Sequence, residues 1–148
     1  MKFTRLHPWR LDYEKAIQVQ ETLRDRLILK KPTGKICTVA GADVSYDKQS
    51  DRFFAGVVVF KLGKHLERVE ERTAVGKARF PYIPGLLSFR EAPILLKVFT
   101  KLKITPDIIL FDGQGIAHPR HFGLASHLGL ILERPSIGCA KTRLVGEY

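Results

Sequence analysis

The sequence has few cysteines, few aromatic residues and no long apolar stretch. Its 148 residues include two cysteines, one tryptophan and one methionine, and aromatic residues make up 9%. Two cysteines are too few for a disulfide-rich secreted fold. No segment approaches the about 20 apolar residues that a membrane span needs, and the first ten residues contain no apolar core of a secretory signal. We therefore expect one cytoplasmic domain with no membrane partner, in which Cys37 and Cys139 are buried thiols.

Positive charge is what the sequence has in excess. Lysine and arginine number 25 against 15 aspartate and glutamate, which gives a net charge of +10 at pH 7. A domain this basic often binds a polyanion; the alternative is a basic surface that serves only solubility. Because no run of like charge stands out, a nucleic-acid-binding face has to be assembled by folding.

Hydrophobic periodicity divides the chain into eight elements. An amphipathic helix is predicted over residues 11–30, followed by three strands. The second strand is a continuous apolar run, which predicts burial on both faces, whereas the third is polar and typical of an edge strand. The predicted elements after the first helix are strands 36–46, 53–62 and 65–75, helix 88–103, strand 107–112, helix 121–133 and strand 136–140.

The order of these elements predicts an α/β fold around a mixed five-stranded sheet. Short polar links join the first three strands, which is typical of an antiparallel meander. The later alternation of helix and strand predicts two parallel strands with right-handed crossovers. Helices are expected to cover the sheet.

Two aspartates, Asp43 and Asp112, occupy positions in or next to predicted strands that suggest a function. Asp43 is inside the first strand, among small and apolar neighbours, and a buried carboxylate needs a partner or a metal; an aspartate that accepts backbone or arginine hydrogen bonds is the alternative. Asp112 ends the fourth strand, where ligand sites of such sheets cluster. Its alternative is a turn-initiating aspartate before Gly113.

Glu91 is the third candidate. Ser88 and Glu91 fit the S-x-x-E pattern of a helix capping box. Glu91 also shares a helix face with Leu95 and Val98, and that face should pack on the sheet. Both interpretations are open from the sequence.

Taken together, the three acids favour a metal site. If the first and fourth strands are parallel neighbours, Asp43 and Asp112 converge, with Glu91 above them. Clustered carboxylates repel and raise one another's pKa, and Mg²⁺ or Mn²⁺ is the cation that oxygen ligands favour. An acidic metal site within a basic surface is suited to phosphodiester hydrolysis.

Four segments closely resemble the endonuclease V family, deoxyinosine-directed DNA repair nucleases of the ribonuclease H-like fold. They are GADVSY (41–46), FPYIPGLLSFRE (80–91), DGQGIAHPRHFGLASHLG (112–129) and IGCAKTRLVG (137–146). The resemblance implies an endonuclease that requires Mg²⁺, with Mn²⁺ as a substitute. It would nick DNA at the second phosphodiester bond 3′ to hypoxanthine, leaving 3′-hydroxyl and 5′-phosphate ends.

The resemblance also implies roles for individual residues. Asp43 and Asp112 would be the main metal ligands, Glu91 would complete the catalytic set, and Lys141 would lie near the scissile phosphate. Tyr82 would enter the duplex at the lesion, because an aromatic ring held by two prolines can replace a lost stacking partner; a core aromatic is the alternative. The residues implied in DNA binding are Tyr82, Ile83, Pro84, Gly85, Arg90, Gly113, Gly115 and His118.

Residues 1–148 are therefore expected to form a single endonuclease V-like domain that lacks the family's C-terminal helices. We expect a monomer whose partner is DNA with deaminated bases. Two alternatives stay open: a module that binds deaminated nucleic acid without cutting it, and an inosine-specific ribonuclease. Single-strand access and 2′-hydroxyl contacts would decide the second.

Overall fold

The fold contains the eight elements in the predicted order. The computed structural model describes residues 1–142 and 144–145. The elements are α1 (Tyr13–Arg24), β1 (Thr38–Asp47), β2 (Arg52–Lys61), β3 (Glu67–Gly76), α2 (Leu87–Phe99), β4 (Ile108–Phe111), α3 (Leu124–Leu132) and β5 (Ser136–Gly138).

The five strands form one mixed sheet, as predicted. Their spatial order is β3-β2-β1-β4-β5. Strands β1, β2 and β3 pair antiparallel, whereas β4 pairs parallel with both β1 and β5. The polar strand β3 is at the edge, and β1 and β4 are parallel neighbours, which the convergence of Asp43 and Asp112 requires.

Helices α2 and α3 pack together on one face of the sheet. Their apolar residues, including Leu95 and Leu128, join Ala40, Val57 and Ile109 of the strands in the main core. In β2 the burial alternates along the strand. The prediction that β2 is buried on both faces is therefore wrong, because its continuous apolar run faces a helix layer on one side only.

Helix α1 is shorter than predicted. It begins after Asp12, whose carboxylate accepts a hydrogen bond from the Lys15 N–H at 2.9 Å, and it ends at Arg24. The apolar spacing that extended the predicted helix comes from residues such as Ile28, which is 82% exposed. Since that residue does not pack on the core, its periodicity does not sustain a helix.

The start of α2 also differs from its predicted capping box. The N-cap residue is Leu86, which makes no side-chain cap, and Ser88 lies inside the helix. The Ser88 hydroxyl is 3.0 Å from Nδ1 of the buried His127 on α3. The predicted capping box is therefore wrong, because the Ser88 hydroxyl bonds to His127 of another helix and not to the backbone at the start of α2.

The two cysteines are exposed, so the prediction of buried thiols is wrong. Each lies just outside a strand: Cys37 precedes β1 and Cys139 follows β5. Their backbones are hydrogen-bonded: the N–H of Cys37 donates to Asp107 and its carbonyl accepts from the Leu62 N–H, while the N–H of Cys139 donates to the Phe111 carbonyl. In the described part of the chain, no helix has the length and apolar character to cross a membrane.

Candidate active site

Asp43 and Asp112 lie side by side on the parallel pair β1 and β4. Ala42 of β1 is level with Phe111 of β4, and the Asp112 N–H donates to the Ala42 carbonyl at 3.2 Å. Ala42 and Phe111 are buried in the core. The next residues along the chain, Asp43 of β1 and Asp112 just after β4, are therefore neighbours across the pair.

Glu91 approaches these two aspartates from α2. It lies one turn into the helix, ahead of the buried Leu95 and Val98. Burial, together with the negative charges of Asp43 and Asp112, raises the pKa of Glu91 from 4.5 to about 7, against the opposing charge of Arg90. Both aspartates therefore lie close enough to act on Glu91 electrostatically.

Lys141 provides a positive charge at the same place. Its Nζ is 2.9 Å from Oδ2 of Asp112, and the lysine side chain is 84% exposed. The hydrogen bond to Asp112 raises the pKa of Lys141, and the charges of Asp112 and Asp43 add to the effect. Among residues 1–142 and 144–145, the side chain is thus paired with the Asp112 carboxylate, and most of its surface is exposed to solvent.

The chemistry of the donor set fits a divalent cation. Its members are carboxylates, which are hard oxygen donors of the kind that Mg²⁺ takes, and Asp112 already holds one cationic group, the ammonium of Lys141. Among residues 1–142 and 144–145, however, no three His, Cys, Asp or Glu side chains are arranged as a ready-made metal cage. The residues that fit a cation are therefore Asp43 and Asp112, with Glu91 as a neighbour that a positive charge would help to ionise.

The segment from Pro81 to Pro84 projects from the surface close to α2. Tyr82 is 70% exposed, and both prolines are exposed. Ile83 is half-buried and packs against a second core cluster that includes Phe80. The interpretation of Tyr82 as a core aromatic is therefore wrong.

His118 is buried, at 4% exposure. Its Nε2 is 2.9 Å from the Gly85 carbonyl oxygen. Because the ring is buried, desolvation lowers its pKa, with smaller opposing and supporting effects from Gly85 and Arg120. The structure thus brings His118 to the Pro81–Pro84 segment, beneath it rather than at the surface.

Arg90 lies between the acids and the aromatic residues of the sheet. Its Nη1 donates to the Phe80 carbonyl at 3.0 Å. The guanidinium is 5.0 Å from the ring centroid of Tyr46 and 5.1 Å from that of Phe53. These contacts fix the side chain, and its charge lowers the pKa of Glu91.

The Gly113–Gly115 loop is tightly packed, and two glycines that the sequence analysis missed explain why. A Cβ on Gly138 would lie 2.5 Å from the Gly113 carbonyl oxygen, and one on Gly123 would lie 2.4 Å from the Gln114 carbonyl oxygen. A Cβ on Gly115 would meet only ordinary contacts. The backbone of this loop is therefore held between the start of α3 and the end of β5 because Gly123 and Gly138 have no side chains.

A narrow crevice lies between this loop and the start of α2, next to Gly85 at the end of the Pro81–Pro84 segment. Its volume is about 30 Å³, and its lining includes Gly85, Leu87, Gln114 and Gly123. That volume is about the share of one water molecule in the liquid. We call this crevice the seam; residues on both of its sides, such as Gly85 and the Gly113–Gly115 loop, are among the predicted DNA contacts.

Comparison with known proteins gives a consistent result. A model of the Endonuclease V family matches residues 21–148. Endonuclease V of Dehalococcoides mccartyi is 48% identical over 148 residues, which is all of this chain and 66% of the relative. The chain therefore spans just under two thirds of the length of this curated relative.

Solved structures agree with the sequence relatives. The crystal structure of Endonuclease V from Streptomyces avermitilis is 44% identical, with a TM-score of 0.85 over 96% of this chain and 63% of that one. Ciona intestinalis Endonuclease V is 31% identical, with a TM-score of 0.80 over 90% of this chain and 59% of that one. The Ciona protein was crystallised with a 24mer DNA that contains an inosine followed by a ribo-adenosine.

Proposed function

The chain belongs to the endonuclease V family, and from that membership we propose that it is a metal-dependent endonuclease that nicks DNA beside a deaminated base. The bond cut is the second phosphodiester 3′ to hypoxanthine, and the products carry 3′-hydroxyl and 5′-phosphate ends. The observation that carries the proposal is the meeting of Asp43, Asp112 and Glu91, where the pKa of Glu91 is raised to about 7. The net charge of +10 over the whole chain supports a polyanionic substrate.

In this proposal Asp43 and Asp112 hold the cation, and Glu91 completes the set. Mg²⁺ is the proposed cation, with Mn²⁺ as a substitute. When bound, it supplies the charge that activates water and stabilises the attacking and leaving oxygens. Lys141, whose exposed side chain pairs with Asp112, turns toward the scissile phosphate, and its ammonium stabilises charge on the phosphate.

DNA contact is assigned to the two loops beside this centre. Tyr82, supported by Ile83 and Pro84, enters the duplex, since an exposed ring between two prolines loses little entropy when it replaces a base. The extruded base is received at the seam next to Gly85, which has to widen because its present volume of about 30 Å³ is too small for a purine. Gly113 and Gly115 lie along the loop that borders this seam.

Arg90 is assigned to DNA binding because of its positive charge. It is held against Phe80 and the Tyr46 ring, so it adds positive potential between the acids and the DNA-facing loops. His118 was expected to contact DNA near the lesion. Its burial supports a role through the Gly85 loop instead of at the DNA surface.

A duplex with a single hypoxanthine and a labelled strand tests the proposal. With Mg²⁺ present, the wild-type chain is expected to nick it, and Asp43→Ala and Asp112→Ala are each expected to lose at least about 100-fold in rate. Asp25→Ala is the matched control, because Asp25 is exposed at the end of α1 and removes the same group. Equal nicking by all four proteins would remove the acids from the mechanism.

Inosine-containing RNA is the second candidate substrate. The Ciona relative was crystallised with an inosine followed by a ribonucleotide, so a ribose at that position fits at least one member of the family. Nicking rates on matched DNA and RNA strands with one inosine decide between them. Lesion-selective binding without nicks at any Mg²⁺ or Mn²⁺ concentration would instead identify a binding module.

We also propose that the protein acts as a cytoplasmic monomer, as the sequence predicts. Light scattering coupled to gel filtration tests the second part, with an expected mass near the 16.8 kDa of the chain. A mass twice as large would contradict it.

A further inference from the structure

The carbonyl oxygen of Gly85 accepts three side-chain hydrogen bonds. Gln20 Nε2 donates at 3.0 Å, Arg120 Nη2 at 2.8 Å, and His118 Nε2 lies at 2.9 Å. Gln20 comes from α1, whereas His118 and Arg120 come from the segment before α3. A carbonyl oxygen has two lone pairs, so three donors saturate the hydrogen-bonding capacity of the Gly85 oxygen and attach this turn to α1 and to the segment before α3.

The three donors also fix one another. Arg120 Nε donates to Gln20 Oε1 at 2.6 Å, and Gln20 Nε2 makes a second bond to the Phe122 carbonyl at 3.0 Å. The Arg120 backbone N–H donates to His118 Nδ1 at 3.2 Å, which leaves the ring proton on Nε2, facing Gly85. Gln20 is fully buried, and only one orientation of its amide satisfies all its neighbours.

Gly85 itself is suited to this attachment. Its φ is +79°, a left-handed conformation that favours glycine. A Cβ there would lie 2.8 Å from Arg120 Nη2. The Leu86 N–H donates to the Ile83 carbonyl at 2.9 Å, so the segment closes into a turn just where it is attached.

We propose that Gln20, His118 and Arg120 are positioning residues that hold the Tyr82 wedge rigid through the Gly85 carbonyl. The proposal rests on the proposed function, in which Tyr82 separates the strands. Unstacking and unpairing a base costs free energy, and a wedge on a mobile loop would be displaced before the base pair opened. The acids bind the phosphate side of the substrate, whereas these three residues act through the Gly85 turn that carries the wedge.

Two substitutions test the attachment. Gln20→Glu keeps the shape and the bond to Arg120 but replaces the amide donor with an acceptor that faces two carbonyl oxygens. Arg120→Lys keeps the charge but removes the fork that joins Gln20 to Gly85. The controls are Gln18→Glu and Arg26→Lys, the same chemical changes at exposed positions in or just after α1.

The first measurement is hydrogen–deuterium exchange, which needs no activity. Exchange across residues 81–86 is expected to be about tenfold faster or more in Gln20→Glu and Arg120→Lys, because the anchored turn opens more often. Exchange in the sheet and in the control variants is expected to match wild type. Unchanged exchange at 81–86 in both test variants would overturn the attachment.

The second measurement compares nicking of inosine in a duplex with nicking in a single strand. A wedge is needed only where a partner strand must be separated. Both test variants are therefore expected to lose about tenfold or more on the duplex, or about 1.4 kcal/mol, and less than about threefold on the single strand. Equal losses on both substrates would refute the positioning role. If wild type nicks neither substrate, the proposed function fails, while exchange still decides the attachment.

Discussion

Replacement of Glu91 by glutamine is expected to stabilise the protein while it removes nuclease activity. In the metal-free protein the carboxylate is desolvated and lies near Asp43 and Asp112, so its pKa is raised to about 7. The folded chain therefore resists ionisation of this group more than the unfolded chain does. Glutamine keeps the size and packing of the side chain and carries no charge.

The magnitude follows from the change in pKa. The rise from 4.5 to about 7 corresponds to about 3 kcal/mol of unfavourable energy once the group is ionised in both states. Allowing for the part of the side chain that water still reaches, we expect Glu91→Gln to raise the free energy of unfolding by about 2–3 kcal/mol at pH 8. For a chain of this size that is about 5–10 °C in Tm.

The pH dependence has a defined sign. Below about pH 4.5 Glu91 is protonated in both states, so the variant and wild type should differ little. Between pH 4.5 and 7 the unfolded chain ionises first, and the unfolding free energy of wild type falls relative to the variant. Above about pH 7 the difference should be constant.

Urea unfolding in EDTA at pH 4.5, 6 and 8 measures this difference. Glu21→Gln, the same change at an exposed position of α1, is the control and should change stability by less than about 0.5 kcal/mol. Added Mg²⁺ should stabilise wild type more than the variant. A variant that is no more stable than wild type at pH 8, or a difference that does not vary with pH, would refute the electrostatic account of the cluster.

Two further predictions concern parts of the fold that support the site. Burial lowers the pKa of His127 well below 6.5 and lowers that of its partner His7, so the folded state needs both neutral. Below pH 6.5 these histidines gain protons more readily in the unfolded chain, so the free energy of unfolding should fall. Urea unfolding between pH 7.5 and 5.5 measures this fall, and the Glu91→Gln variant is used because the wild-type Glu91 has the opposite pH dependence. An unfolding free energy that does not change over this range would contradict the prediction. Gly138→Ala should cost about 2 kcal/mol or more, because its Cβ would lie 2.5 Å from backbone atoms, whereas Gly115→Ala meets only ordinary contacts. Similar Tm values for the two variants would contradict that packing.

The sequence alone predicts the succession of helices and strands and the mixed pairing of the sheet, because both depend on local signals. Apolar periodicity and short polar links define the meander, and the alternation of helix and strand implies parallel pairing. Once β1 and β4 are neighbours, Asp43 and Asp112 must lie close together. Their place within strand β1 and just after β4 is visible in the residue order.

What the sequence alone does not predict depends on contacts between distant segments. Gln20 reads as one polar residue in an amphipathic helix, and Arg120 as a loop cation, yet both reach Gly85. Ser88 has the pattern of a capping residue, but His127 takes its hydroxyl. The one sequence signal of this attachment is a polar residue, Gln20, on the apolar face of the helix, and the structure shows that it is fully buried.

The position of the nick is the most direct test of lesion-directed cleavage by this chain. A duplex with inosine at one defined position, and the same duplex with guanine there, would be incubated with the wild-type chain and Mg²⁺, and the products sized to one nucleotide. A single nick is expected at the second phosphodiester bond 3′ to inosine, with a 3′-hydroxyl and a 5′-phosphate, and none in the guanine duplex. Equal cutting of both duplexes, or a nick at a different bond, would contradict it.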